Sequence, residues 1–171
     1  MKSESANIIS HVFTCSPPVK MESQTAAQVM NTKMNFVLFI DDDEEDNLVH
    51  KEALVASKLK VRSECITESR EALTYLKQCL VKADVPLSAI PDVIFIDLNM
   101  PLYNGLEVVE EFRKLPDPYF RKKYMKFVLM TGMLHTHMID LVKLEFSDVI
   151  AAVVQKPVTA KFLNELKNNR Q

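Results

Sequence analysis

"FVLFIDDDEEDN", residues 36–47, passes from five apolar residues straight into six consecutive acids, Asp41 to Asp46. An uninterrupted apolar run of that length, with no polar alternate, is the mark of a parallel strand covered on both faces. Two carboxylates about 4 Å apart repel by about 4 kcal/mol at an effective dielectric near 20. A strand that ends in so much like charge therefore needs a cation at its end, or water around most of the acids.

The same apolar character returns in "VIFI" (93–96), "FVLM" (127–130) and "VIAAVV" (149–154), while "VRSECI" (61–66) reads as a weaker strand nearer an edge. Helical spacing fills the intervals: Leu48, Val49, Ala53, Val55, Ala56 and Leu59 form one face, Ala72, Leu73, Leu76 and Leu80 a second. Val108, Val109 and Phe112 form a third face, and Leu134, Met138 and Leu141 a fourth. A last helix starts at Thr159, a good N-cap, and runs through Phe162, Leu163 and Leu166. Five strands and five helices in strict alternation predict a three-layer α/β fold, a doubly wound parallel sheet with right-handed crossovers.

Composition removes several classes of function. The chain has 171 residues, 47% of them hydrophobic, enough for one domain with its own core. A net charge of -2 gives no basic face overall and leaves room only for a local patch, so nucleic acid is not expected as a partner. Two glycines, Gly105 and Gly132, are too few for the Gly-rich dinucleotide or P-loop motifs. Cys15, Cys65 and Cys79 are far apart, without C-x-x-C spacing, and read as thiols of a reducing cytosol rather than a disulfide or zinc framework. No apolar run approaches the roughly 18 residues of a membrane span, and the N-terminus lacks the features of a secretory signal. A cytoplasmic location with no membrane contact is the expectation. Residues 1–33, rich in Ser, Thr, Gln and Asn, are expected to be a disordered extension, and the domain to occupy 34–169.

In an open α/β sheet, ligands bind beyond the carboxyl ends of the strands. The residues delivered there are Asp41 and Asp42, Asp97, Thr131 and Lys156. Three clustered carboxylates cannot all ionise at pH 7 without a cation, so a pKa rises or a metal binds. An all-oxygen donor set with room for water favours magnesium. The first acids of the opening run then belong to a metal site, and the later ones to a solvated helix start. A carboxylate is also a nucleophile toward phosphorus, and Lys156 and the Thr131 hydroxyl are at hand to stabilise a phosphoryl group on Asp97.

"FIDDDEEDN", "VIFIDLNMPLYNGLEVV", "FVLMTGM" and "VVQKPV", in that order, resemble the receiver domain of two-component response regulators, over roughly residues 34–169. The resemblance implies the flavodoxin-like strand order 2-1-3-4-5. It implies Asp97 as phospho-acceptor, with a sensor histidine kinase or histidine phosphotransfer protein as donor and a further protein reading the result. It also implies Mg2+ held by Asp42 directly, by Asp41 through water, by Asp97 and by the backbone carbonyl of Asn99, with Thr131 and Lys156 on the phosphoryl oxygens. Pro157 matches the family's Lys-Pro pair, typically cis. Gly105 resembles part of the turn into the third helix. Gly132 leaves the acceptor open, and Asn99 and Met133 flank the approach to it. One position departs from the pattern: Val153 stands three residues before Lys156, where many members carry an aromatic switch residue.

Only residues 157–171 follow Lys156, so a stand-alone receiver, not an enzyme with its own substrate, is expected. A haloacid-dehalogenase-type phosphatase also uses an Asp after a strand, but it needs an acid two positions on, where this chain has Asn99. The remaining alternative is a pseudo-receiver that binds partners without phosphorylation. The basic stretch "RKKYMK" (121–126) reads as a solvated loop, or else as a docking surface.

Overall fold

The computed structural model describes residues 34–168. Within them the chain alternates β1 (Phe36–Ile40), α1 (Glu44–Ala56), β2 (Arg62–Ile66), α2 (Ser69–Val81), β3 (Val93–Asp97), α3 (Gly105–Lys114), β4 (Lys126–Thr131), α4 (Thr136–Glu145), β5 (Ile150–Gln155) and α5 (Ala160–Asn168). The five strands form one sheet in the order β2-β1-β3-β4-β5, every neighbouring pair parallel. This is the doubly wound fold that the sequence pattern predicts, in the strand order that the family resemblance implies. The expected extension over 1–33 lies outside the described residues.

Side chains of a strand alternate between its two faces, and each face here receives its own helical layer. Leu38 and Ile40, Ile94 and Ile96, and Phe127 and Leu129 pack with Leu76 and Leu80 of α2, Val108 and Phe112 of α3 and Val142 of α4. Val37 and Phe39, Phe95, and Val128 and Met130 pack instead with Leu54 of α1 and with Leu163 and Leu166 of α5. Because both faces are covered, polar alternates would be buried without partners, which is why these strands read as continuous apolar runs. β2 stands at the edge, and its residues are mostly half-buried.

Side-chain caps fix the starts of three of the five helices, α1, α3 and α5. Asp43 accepts from the Glu45 and Asp46 N–H groups at the start of α1. Asn104 and Glu107 form a reciprocal capping box on α3. Thr159 accepts from the Phe162 N–H at 3.2 Å, as its N-cap reading requires.

Two expectations need correction. The apolar face assigned to the first helix is not its buried one: Leu48 is 59% exposed and Val55 79%, with Val49 and Ala56 also exposed. Asn47, His50 and Leu54 are buried in their place, because this helix lies against a polar crevice rather than against apolar neighbours alone. The stretch 121–126 is not a wholly solvated loop either. Arg121 is buried, and its guanidinium donates to the carbonyls of Cys79, Lys82, Ala83 and Val85, closing the chain after α2.

Candidate functional site

Parallel register carries the polar residues to one edge. Ile40 of β1 pairs with Ile96 of β3, Asp97 with Met130 of β4, and Thr131 with Gln155 of β5. The Lys156 N–H then donates to the Thr131 carbonyl at 2.8 Å. Asp41, Asp97, Thr131 and Lys156 therefore leave four adjacent strands at the same level, beyond the carboxyl ends.

The Lys156 ammonium is the electrostatic centre of this crevice. It lies 2.8 Å from Asp41 Oδ2, 2.9 Å from Asp46 Oδ2 and 3.0 Å from Asp97 Oδ1, with its side chain 15% exposed. Burial acts against its charge, but the hydrogen bonds to the three aspartates prevail and hold its pKa above the ordinary lysine value. The cation called for by the acid run is thus supplied from β5. The peptide between Lys156 and Pro157 is cis.

Asp41 and Asp97 share that ammonium and are nevertheless shifted in opposite senses. Burial pushes both carboxyls up. At Asp41, hydrogen bonds to His50 and Lys156 outweigh burial, and its pKa falls below the usual value. At Asp97, burial outweighs Lys156, the Asp41 charge adds to it, and the pKa is raised. Asp97 Oδ2 also accepts the Asn99 N–H at 3.1 Å. Asn99 and Asp42 are exposed, while Thr131 is buried and directed to its own loop: its hydroxyl donates to the Met133 carbonyl at 3.0 Å.

Sequence reasoning missed three contributors, all on α1. Asp46 reaches Lys156 and so is not merely part of a solvated helix start. His50, fully buried and stacked on Phe39, faces Asp41 Oδ2 with Nε2 at 3.3 Å. Asn47 donates to the Asp41 and Asp43 carbonyls. Asp43, Asp46, Asn47 and His50 follow the i, i+3, i+4, i+7 spacing of one helical face. A search for polar as well as apolar periodicity would have found them.

Gly105 is required by close approach: a Cβ there would meet the Asp97 carbonyl oxygen at 2.5 Å. At Gly132 a Cβ would meet nothing within 4 Å. Val153 is buried in the core, three residues before Lys156.

One carboxylate oxygen from each of Asp41, Asp42 and Asp97 falls in a cluster within 4.8 Å. Opposite ligands of an octahedral magnesium lie roughly 4.2 Å apart, twice its 2.0–2.1 Å bond length. The three groups therefore fit such an ion with small side-chain adjustments or one intervening water, and their all-oxygen chemistry suits it.

Solved structures resemble the whole described fold. A two-component response regulator from Cytophaga hutchinsonii is 30% identical, with a TM-score of 0.64, and the match covers 81% of this chain and 98% of that one. The bacteriophytochrome response regulator RtBRR is 27% identical at a TM-score of 0.61, over 80% of this chain and 78% of its own. The Vibrio cholerae chemotaxis protein CheY4, 20% identical at a TM-score of 0.57 over 81% of this chain and 99% of that one, shares the fold. The chain belongs to the response regulator receiver family of two-component systems. No protein-family model matches the sequence, and no curated protein does. Among the described residues, no helix is long and apolar enough to cross a membrane.

Proposed function

We propose that this receiver accepts a phosphoryl group on Asp97 and signals through the resulting change at the β4 and β5 ends. The observation that carries the reading is the Lys156 ammonium 3.0 Å from Asp97, beside a three-carboxylate cluster. An Asp97 oxygen forms the new P–O bond as the P–N bond of a phosphohistidine donor breaks, and the departing imidazole nitrogen keeps that electron pair. Asp41, Asp42, Asp97 and the Asn99 carbonyl would hold a magnesium ion, which would supply positive charge to the phosphoryl oxygens. Lys156 orients Asp97 before transfer and pairs with the added charge afterwards. The Thr131 hydroxyl must exchange its Met133 carbonyl bond for a phosphoryl oxygen, moving the loop after β4 with it.

Donor and reader are proteins on this proposal: a sensor histidine kinase or histidine phosphotransfer protein upstream, and a partner that recognises the altered face downstream. With Val153 in place of an aromatic, the switch relies on that loop movement rather than on a ring rotation. The proposed setting is the cytoplasm, where such donors act.

The test is intact mass after acetyl phosphate treatment, with and without magnesium, beside Asp97→Asn. The expected result is a magnesium-dependent gain of one phosphoryl group that is absent in the variant. No gain under either condition overturns the proposal and leaves a receiver that works by binding alone.

A further inference from the structure

At the opposite edge of the sheet, where α3 ends and β4 and β5 begin, lies a cavity of about 210 Å3. Phe112 and Val149 contribute its apolar wall, and Arg113, Lys122, Lys123 and Lys126 stand around it. Asp148 is the single acid among its lining residues. Four cations gathered from a helix end, a turn and a strand start outnumber Asp148 and the nearby Asp117, which acts on Lys122 from the preceding turn, and leave a positive excess in a small recess.

These cations are held in place without being fully used. The Lys122 ammonium donates to the Arg113 and Leu115 carbonyls at 2.7 and 2.6 Å, across the last turn of α3. Lys126 donates to the Asp148 carbonyl at 2.6 Å. Arg113 donates to the Glu145 carbonyl at 3.2 Å and faces Asp148 Oδ2 at 3.4 Å. An ammonium carries three N–H groups and a guanidinium five. Lys122 thus keeps one donor beyond its two carbonyl bonds, Lys126 keeps two beyond its one, and Arg113 has more. Lys123 makes contact with the Tyr124 ring at 4.9 Å and caps no carbonyl in this set.

Such an arrangement is preorganised for an acceptor-only ligand. The carbonyl bonds have already ordered the Lys122 and Lys126 side chains, so little further freedom is lost on binding. Burial also pushes both ammonium pKa values down, an unfavourable effect that a bound anion would offset. The donors come from three elements: a helix end, a turn and a strand start. A multiply charged oxyanion, with more acceptor oxygens than a single carboxylate, can use more of their spare N–H groups at once. The volume falls below the roughly 300 to 1,000 Å3 of pockets for drug-sized ligands, which suits a small ion. We propose that this cleft binds a compact, multiply charged phosphate-class anion of about the size of pyrophosphate. This site is separate from Asp97: Lys126 and Thr131 are the two ends of β4, about 17 Å apart at 3.3 Å per residue.

The test is a titration of the 15N-labelled full chain with sodium pyrophosphate, at constant ionic strength in magnesium-free buffer, followed by amide chemical shifts. The expected result is saturable shifts at residues 112–115, 122–126 and 148–149. Lys123→Gln, which touches no capping bond, should weaken the dissociation constant about fivefold, the upper range for a partly exposed charge pair. Asp148→Asn should tighten it, and Asp97→Asn should leave it unchanged. Shifts that never saturate and are reproduced by sodium chloride overturn the proposal, because the lysines then serve only as helix and loop caps. Saturable binding that is indifferent to Lys123→Gln and Asp148→Asn, or centred on residues 97, 131 and 156, overturns it equally.

Discussion

Lys156→Met removes the central ammonium while keeping a side chain of similar length. In the native protein that ammonium lies 2.8 Å from Asp41 and 3.0 Å from Asp97, whose side chains are 0% and 6% exposed. Without it the folded chain must either hold two buried carboxylates facing one another or bind a proton. The proton sets the ceiling on the loss. Protonating an aspartate of ordinary pKa, about 3.9, costs about 4 kcal/mol at pH 7 and about 1.5 kcal/mol at pH 5, at 1.36 kcal/mol per unit. One proton relieves most of the repulsion between two acids. We expect a loss of about 3 to 4 kcal/mol at pH 7 in metal-free buffer, in the range for breaking a buried ion pair, and about 1.5 kcal/mol or less at pH 5. The sign follows from linkage. In the variant the acid's folded pKa lies above its unfolded one, so the penalty is absent below about pH 4 and grows as pH rises toward the folded value. Urea unfolding of both proteins at pH 5, 6 and 7 measures this. A loss equal at all three pH values, or below about 1 kcal/mol at pH 7, refutes the reasoning.

The two glycines should behave differently. Gly105→Ala places a Cβ against backbone at 2.5 Å and should cost about 1 to 3 kcal/mol, while Gly132→Ala, in open space, should stay within about 0.5 kcal/mol; thermal melts of both compare them. Arg121→Met leaves four carbonyls without their charged donor and should cost about 2 to 4 kcal/mol in urea unfolding. It should nonetheless leave the mass gain with acetyl phosphate intact, since Arg121 lies at the sheet edge opposite Asp97.

Where the sequence was legible, one physical rule dominated a segment. β1 matches its apolar run residue for residue, and β3, β4 and β5 differ from theirs only at the ends, because burial on both faces leaves no other composition open. The edge position of β2 was legible for the converse reason. Where two rules competed, the reading failed. α1 carries apolar residues on one side and Asp46, Asn47 and His50 on another, and the crevice claimed the polar side. Arg121 sits in a run of charge that reads as solvated, yet its acceptors lie 36 to 42 residues away in the chain. Only the tertiary fold brings them within reach. The lysines beside it gave no hint from spacing that Arg113 and Asp148 would join them around one recess.

The ion pairs of Lys156 also bear on the order in which the protein is made. Asp41 and Asp97 leave the ribosome before the lysine that balances them. At roughly 5 to 20 residues per second, the stretch of about 60 residues from Asp97 to Lys156 takes roughly 3 to 12 s to synthesise. For that interval, when no metal ion sits among Asp41, Asp42 and Asp97, β1 and β3 meet by bringing two carboxylates together without the lysine, a repulsion of about 4 kcal/mol for a 4 Å separation. In the absence of metal the charge layout thus disfavours closing β1 on β3 early, and the lysine after the last strand removes that cost.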